Sequence, residues 1–140
     1  MSKAYEYRHT VAFEETNLVG NVYYVNHMRW QGRCREMFLK EHSPDTLAAL
    51  QSGLILLTTF CSCEYLSEIS AFDEIVIRMR LGSLTQNRMT LMFEYYLIQE
   101  EGESLFAKGE QRIACMRKDG DSFTPAALPE SLERALNQYR

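Results

Sequence analysis

The residue types best suited to chemistry on a carbonyl group are concentrated between Asn17 and Arg35. Asn17 and Gly20 lie in a polar, turn-forming stretch, and a helical pattern begins at about Val25. A turn that runs into a helix exposes backbone N–H groups without partners, and the helix dipole favours negative charge at that end. The backbone N–H groups of Tyr24 and Val25 are therefore candidates for an oxyanion hole, which binds the charge that develops when a carbonyl is attacked.

Two side chains could act together with these backbone donors. Asn17 could position water or a substrate carbonyl, because an amide donates and accepts hydrogen bonds but is no general base near neutral pH. In a turn, the same side chain could instead cap the backbone. Arg35 lies on one helical stripe with Tyr24 and could stabilise a developing negative charge. Alternatively, Arg35 is a surface residue paired with Glu36 or Glu14.

Other polar residues near the helix start have chemical and structural interpretations as well. His27 is the residue that most resembles a general base, although a lone histidine is also a common packing or interface group. Glu15 is the nearest carboxylate, and we expect it to be a solvated loop acid. Gly20 could let the chain approach a substrate closely. Tyr23 and Tyr24 are expected to line a substrate channel rather than to transfer protons.

The bulk properties argue against several other classes of protein. The net charge of −4 and the pI near 5.4 give no reason to expect a nucleic acid or an anionic membrane as partner, and an acidic partner would need a local basic patch. The first ten residues, MSKAYEYRHT, lack the apolar run of a signal peptide, and no segment reaches the ~18 apolar residues of a membrane span, so we expect a soluble, cytoplasmic protein. The four cysteines lack the spacing of a zinc site and are expected to be reduced and mostly buried: Cys34, Cys61, Cys63 and Cys115.

The elements that must position these residues follow one another as a strand, a long helix and four further strands. A first strand is predicted from Tyr5 to Phe13, and a helix from Val25 to about Glu41, because Pro44 disfavours helical geometry in the residue before it. A short helical segment at 45–51 precedes strands at 54–65, 73–81, 88–99 and 105–116, and a last helix covers 129–139.

Long, twisted strands can wrap a helix of this length and bury its apolar face, which carries Trp30, Cys34, Met37 and Phe38. The 140 residues have room for one core, so a single domain is expected to span residues 1–140. The sequence therefore predicts an α+β fold in which a five-stranded antiparallel sheet is wrapped around one long central helix.

The stretch FEETNLVGNVYYVNHMRW at 13–30 resembles the signature of hotdog-fold thioesterases of the hydroxybenzoyl-CoA thioesterase-like group. In that family, an F/Y-x-D-T/C-D-x-x-G-x-V-x-Y block leads directly into the central helix. The family's catalytic aspartate corresponds to Asn17 here. This substitution, together with Arg35, is similar to the enediyne-type acyl-carrier-protein thioesterases. The positions that match the family block are Thr16, Gly20, Val22 and Tyr24.

The resemblance implies a thioester hydrolase that releases a long polyene, often a β-keto thioester, from the acyl carrier protein of an iterative polyketide synthase in enediyne antibiotic biosynthesis. No metal or organic cofactor is implied, since the carrier's phosphopantetheine arm belongs to the substrate. The implied site is lined by two protomers, so we expect at least a homodimer, with a homotetramer as the fuller assembly. The residues expected to bind the acyl chain are Gly20, Tyr23, Phe60 and Tyr65.

Three other functions stay open at the level of sequence. An ordinary acyl-CoA thioesterase is one, although the missing aspartate counts against it. A non-catalytic acyl-binding protein that keeps the hotdog groove is another. A hotdog dehydratase using His27 is the third, but no suitably spaced acid accompanies that histidine. Turnover of acyl-CoA and acyl-carrier thioesters by the purified protein separates the first two from the carrier-protein enzyme.

Overall fold

Strands and helices alternate along the chain much as the hydrophobic pattern predicts. The computed structural model describes residues 3–140. Their elements are β1 (Tyr5–Thr10), a 3₁₀ turn (Phe13–Glu15), α1 (Val25–His42), α2 (Pro44–Leu50), β2 (Leu54–Tyr65), β3 (Glu74–Thr85), β4 (Arg88–Gln99), β5 (Gly102–Asp119), β6 (Ser122–Pro125) and α3 (Glu130–Asn137).

All of the strands belong to one curled antiparallel sheet. Its order is β1-β3-β4-β5-β2, and β6 pairs with the end of β5. β1 and β2 are therefore the two edges of the sheet. The predicted α+β hotdog fold is confirmed, with one addition to the five predicted strands. The short strand β6 follows a turn in which Gly120 takes a positive φ of 66°.

The central helix α1 lies against the inner face of this sheet and buries the face that the sequence predicts. Trp30, Cys34 and Phe38 are all buried, together with Leu39 one residue further on. Burial of each large apolar side chain contributes about 1.5–3 kcal/mol. The helix ends at His42, and Pro44 then occupies the first turn of α2, as expected from its fixed φ.

The carboxy-terminal helix closes the end of the core at which α1 ends. Leu132, Ala135 and Leu136 face inward, and Tyr139 packs its ring edge-on against Phe38 with centroids 5.6 Å apart. The Tyr139 carbonyl also accepts the Leu81 N–H at 2.7 Å, which ties α3 to β3. The end of the core beside the last turn of α1 is thus covered by α3. The polar loop lies at the opposite end, before the first turn of α1.

Three strands have boundaries that differ from those predicted. β1 ends at Thr10, because the chain turns into the 3₁₀ segment that starts at Phe13. β3 runs on to Thr85 through a register shift between Leu81 and Ser83, so the strand continues past the point where its alternation fails. β5 is longer than expected at both ends and spans Gly102–Asp119. None of the helices within residues 3–140 is long and apolar enough to cross a membrane.

Candidate active site

The loop that carries Asn17 is a tightly closed turn in front of α1. Thr16 and Val22 form an isolated antiparallel bridge, and the Asn17 N–H donates to the Asn21 carbonyl at 2.8 Å. The Gly20 N–H donates back to the Asn17 carbonyl at 3.0 Å, and Gly20 has a φ of +92°. Glycine suits this position because of its backbone conformation, since a Cβ here would meet no described atom within 4 Å.

Asn17 itself is exposed and lies directly before the turn of this loop. Its side-chain Oδ1 accepts the Val19 N–H at 3.0 Å, so the residue does cap the turn, as one of the two interpretations expects. This bond uses the amide oxygen and leaves the amide nitrogen as the group that can donate to a substrate. The two interpretations of Asn17 are therefore compatible with one another.

The candidate oxyanion hole lies where the loop enters the helix. The Asn26 N–H donates to the Tyr23 carbonyl at 2.9 Å, and the His27 N–H donates to the Tyr24 carbonyl at 3.3 Å. Hydrogen bonding within the helix thus begins at Asn26, and the N–H groups of Tyr24 and Val25 precede it. The side chains of both residues are exposed, with 59% of Tyr24 accessible.

A cavity of about 280 Å³ opens beside the helix start. Tyr24, His27 and Tyr65 line it together with Val22 and the segment 66–69. The Tyr65 hydroxyl donates to the Tyr24 carbonyl at 2.9 Å, and its ring meets the His27 ring edge-on with centroids 4.7 Å apart. The predicted residues Tyr24, His27 and Tyr65 are thus brought together on one side of α1.

His27 is held as a buried, neutral imidazole. Only 4% of it is accessible, and the rings of Trp30, Tyr65, Tyr95 and Phe106 surround it. Burial lowers its pKa below the ordinary value, opposed by a contact with the Tyr24 carbonyl. Within the described chain, its Nδ1 has no hydrogen-bond partner, so no carboxylate orients it as the base of a conventional dyad.

Arg35 points inward from α1 toward the sheet rather than out to solvent. Its Nη1 donates at 3.2 Å both to the Thr58 Oγ1 on β2 and to the Gln111 Oε1 on β5. Glu36, considered as its ion-pair partner, is bound instead by Arg33 at 3.2 Å. Among residues 3–140, no carboxylate lies within ion-pair distance of the Arg35 guanidinium, and burial lowers the pKa of this group.

A larger cleft of about 520 Å³ lies along the second half of α1, where Arg35 is found. Arg33 and Lys40 add positive charge to its wall, and Glu36 adds the one negative charge. The remaining lining is aliphatic and comes from α1, α2 and β2: Met37, Leu39, Leu47, Leu50 and Leu56. The cleft therefore combines an apolar surface with a cation held only by neutral groups.

Three of the four predicted acyl-binding residues, Gly20, Tyr23 and Phe60, line neither cavity. Phe60 is on the sheet face opposite α1, where the Arg112 guanidinium covers its ring at 4.2 Å from the centroid. A bulge between Thr58 and Phe60 shifts the register by one residue and turns Phe60 away from the face that Thr58 shares with Arg35. Tyr23 lies beside Tyr24, with ring centroids 4.9 Å apart, but does not line the cavity at the helix start.

Glu15 was expected to be a solvated loop acid, and this expectation is wrong. Its carboxylate accepts hydrogen bonds from three donors, each at 2.8 Å: the His9 Nε2, the Ala12 N–H and the Trp30 Nε1. Burial alone would raise the pKa of this carboxyl, but the bonds from Ala12, His9 and Trp30 together lower it. Glu15 is close to Asn17 in the sequence, which places it near the candidate site. Its contacts with His9 on β1 and Trp30 on α1 could not be predicted from local spacing.

Within one protomer, the two candidate half-sites lie apart along the same helix. At ~1.5 Å per residue, Tyr24 and Arg35 are about 16 Å from each other along the axis of α1. The loop with Asn17 and the candidate oxyanion hole lies at the start of the helix, and Arg35 with its cleft lies toward the end. The chain by itself does not bring Asn17 and Arg35 together.

A curled antiparallel sheet around a central helix, with a turn entering the start of that helix, defines the hotdog class of fold. The model of the thioesterase-like superfamily matches residues 11–136 of this chain. The chain belongs to this family, and it is a thioester hydrolase.

The chain is also similar to several solved structures. The dynemicin thioesterase, whose crystal structures revealed induced-fit and allosteric effects upon polyene binding, is 44% identical, with 98% of this chain and 97% of that chain covered and a TM-score of 0.94. A mutant 4-hydroxybenzoyl-CoA thioesterase complexed with 4-hydroxybenzoyl-CoA has the same fold at 14% identity, with coverage of 96% and 99% and a TM-score of 0.84. A 1,4-dihydroxy-2-naphthoyl-CoA thioesterase from Synechocystis shares it at 17% identity, with coverage of 96% of each chain and a TM-score of 0.79. No curated protein sequence matches the chain.

Proposed function

We propose that this thioesterase hydrolyses a long, flat, apolar acyl thioester carried by the acyl carrier protein of an iterative polyketide synthase, and so releases a polyene in enediyne biosynthesis. The observation that carries the proposal is the Arg35 guanidinium, which lies at an aliphatic cleft and is bonded only to neutral groups. The cleft volume of about 520 Å³ lies in the range of ligand pockets. The 44% identity to a polyene-binding thioesterase supports the same substrate class.

The proposed reaction depends on electrostatic stabilisation rather than on a conventional base. Water attacks the thioester carbonyl carbon, and negative charge develops on the carbonyl oxygen. The N–H groups of Tyr24 and Val25, the Asn17 amide nitrogen and Arg35 are the groups that can meet this charge. The C–S bond then breaks, the acid leaves as product, and the phosphopantetheine thiol keeps the proton that water supplied.

We propose further that two copies of the chain complete the site. β2 is an edge strand, and Leu57, Phe60 and Tyr65 along it are exposed. One end of β2 contacts the helix start through Tyr65, and Thr58, which lies in the other half of the strand, contacts Arg35. Antiparallel pairing of two β2 edges about a two-fold axis would lay the Tyr65 end of one copy along the Thr58 end of the other.

This arrangement would bring the loop of one protomer toward the cleft of its partner. It makes a homodimer the smallest active unit, and a homotetramer would contain two such pairs. The basic wall of the cleft, with Arg33 and Lys40, would then face the phosphate of the phosphopantetheine arm and an acidic carrier protein. This local positive charge compensates for a chain whose net charge is −4.

The test compares one long polyunsaturated acyl group on a carrier protein, the same group on CoA, and acetyl on the carrier protein. Because Cys61 is an exposed free thiol, the released acid is followed by mass spectrometry rather than with a thiol reagent. We expect kcat/KM to be highest for the long acyl-carrier thioester, with Arg35→Ala as a matched control of strongly reduced activity. A preference for acetyl would overturn the substrate class, and equal use of the CoA ester would favour a general acyl-CoA thioesterase. Binding without turnover of any ester would indicate an acyl-binding protein.

A further inference from the structure

Glu15 holds both ends of the candidate catalytic loop. The loop begins immediately after it, at Thr16, and returns at Tyr23, whose N–H donates to the Glu15 carbonyl at 2.9 Å. The same carbonyl accepts the Asn26 Nδ2 at 2.8 Å, from the first turn of α1. The backbone of Glu15 therefore fixes the residue directly before Tyr24, whose N–H belongs to the candidate oxyanion hole.

The side chain of Glu15 fixes the loop to two further elements. Oε1 accepts hydrogen bonds from the His9 ring on β1 and from the Ala12 N–H, and Oε2 accepts the Trp30 indole N–H on α1. Ala12 N–H and Trp30 Nε1–H can only donate, so each carboxylate oxygen meets a donor that has no acceptor role. The side chains of both His9 and Glu15 are largely covered, with 22% and 16% accessible, so these bonds are shielded from water.

From this geometry we propose that Glu15 is a positioning residue of the thioesterase. It holds the Tyr24 backbone and the Asn17 loop at a fixed position relative to α1 and β1, and it takes no part in the chemistry. The proposal rests on the loop being the site of hydrolysis. Its physical basis is that a shift of about 1 Å in a catalytic group costs up to ~10²-fold in rate even when nothing that touches the substrate is changed.

Glu15→Gln is the informative substitution, because it keeps the size of the side chain and replaces one acceptor oxygen by a donor. In either orientation of the amide, the new NH₂ group faces the Ala12 N–H or the Trp30 Nε1–H. We expect kcat for a long-chain acyl-CoA, used as a soluble probe, to fall by about 10- to 100-fold with little change in KM. Glu15→Asp keeps the charge but is one methylene shorter, so we expect it to recover part of the activity.

Trp30 gives a readout that does not depend on turnover. It is the only tryptophan of the chain, and its indole N–H bonds to Glu15, so its emission reports the state of this contact. We expect Glu15→Gln to change the Trp30 emission spectrum while the far-ultraviolet circular dichroism stays that of the folded protein. If the wild type hydrolyses no thioester, the proposed function fails. The Trp30 emission still shows whether Glu15 holds the loop to α1.

Two controls separate positioning from simple destabilisation. Glu14→Gln changes the exposed neighbour of Glu15 in the same turn and should leave kcat and emission unchanged. Leu136→Ala in α3 lowers the melting temperature from the far end of the core and should keep kcat. The proposal is overturned if Glu15→Gln keeps both kcat and emission, or if Leu136→Ala loses as much kcat as Glu15→Gln for the same loss of melting temperature.

Discussion

At the scale of single residues, Arg35 shows how the chain keeps a positive charge available without an ion pair. Its neighbours Thr58 and Gln111 supply neutral oxygens, and the nearby carboxylate of Glu36 is bound by Arg33. A partly buried cation without a counter-ion loses some of its solvation, which explains why burial lowers the pKa of this guanidinium. An arginine nevertheless remains protonated at any workable pH, so its charge is available to a developing oxyanion.

Arg35→Ala should therefore cost about 2.7–4 kcal/mol of transition-state stabilisation, or roughly 10²–10³ in kcat, if Arg35 meets the oxyanion. Lys should rescue only part of this, because an ammonium lacks the planar fork that reaches Thr58 and Gln111 together with a substrate oxygen. Steady-state hydrolysis of one acyl thioester by the three proteins measures both effects. The electrostatic account is wrong if His27→Ala abolishes turnover while Arg35→Ala leaves kcat/KM intact in a folded protein.

His27 makes a separate prediction about stability. Burial lowers its pKa in the folded state below the ~6.5 of an unfolded chain, so the unfolded state binds a proton more readily. Stability is therefore complete above about pH 6.5 and falls as the pH drops through that value, until the folded imidazole is protonated as well. His27→Phe, which keeps an aromatic ring among the surrounding aromatic side chains, should reduce this loss of stability at low pH. Melting temperatures at about pH 7.5 and pH 5.5 test it, and an unchanged slope in the variant would exclude His27 as the cause.

At this scale, the sequence predicts candidate residues but not the groups that bind them. Asn17, Tyr24 and Arg35 were chosen from residue type and from the helical period, and these are local properties. The donors around Glu15 come from β1 and α1, and the acceptors around Arg35 come from β2 and β5. These partners lie 6 to 76 residues away and belong to other elements, so the spacing within one segment does not reveal them.

At the scale of elements, the contact between α1 and the sheet depends on one small residue. Gln31 is fully buried in α1 and donates through its Nε2 to the Ser62 carbonyl at 2.9 Å. It passes directly over Gly109 of β5, where a Cβ would overlap the Gln31 amide and lie 2.6 Å from the Ser62 carbonyl oxygen. The absence of a side chain at Gly109 therefore allows the helix to approach this closely.

Gly109→Ala should destabilise the protein by about 1–3 kcal/mol, because the added methyl group overpacks a contact that includes backbone. Gly32→Ala is the matched control, since Gly32 is in α1 and a Cβ there would meet no described atom within 4 Å. That change should be neutral or stabilising by up to ~1 kcal/mol through helix propensity. Urea unfolding of the two variants measures both values, and equal stability of the two alanine variants would contradict this account of the contact.

The sequence predicted elements well where hydrophobic periodicity was long and regular. The bounds of α1, β2 and β4 follow directly from such patterns. The prediction failed where the alternation of a strand is interrupted by a bulge, because a bulge adds one residue without changing the composition. The bulge near Thr58 turned Phe60 to the opposite face of the sheet, and the one near Gly82 extended β3 beyond its predicted end. β6 has only four residues, too few to show an alternation.

At the scale of the whole molecule, the free edge of β2 is the feature that one chain leaves unexplained. An exposed edge strand with apolar side chains favours pairing with another strand. The two candidate half-sites lie about 16 Å apart along α1 in one protomer, and two-fold pairing at this edge would join each half to the other half of its partner. If so, the size of the assembly and the activity depend on the same surface.

A mixed dimer tests this arrangement directly. An Asn17→Ala protomer and an Arg35→Ala protomer are co-expressed with different tags and purified as the heterodimer. If each site takes its loop from one protomer and Arg35 from the other, the heterodimer should recover about half of the wild-type activity, since one of its two sites is complete. If both residues serve the same site within a protomer, each site of the heterodimer lacks one of them, and the activity should stay at the level of the single variants. Light scattering of the same sample supplies the second condition, because a species of 16.3 kDa that hydrolyses thioesters would exclude a shared site altogether.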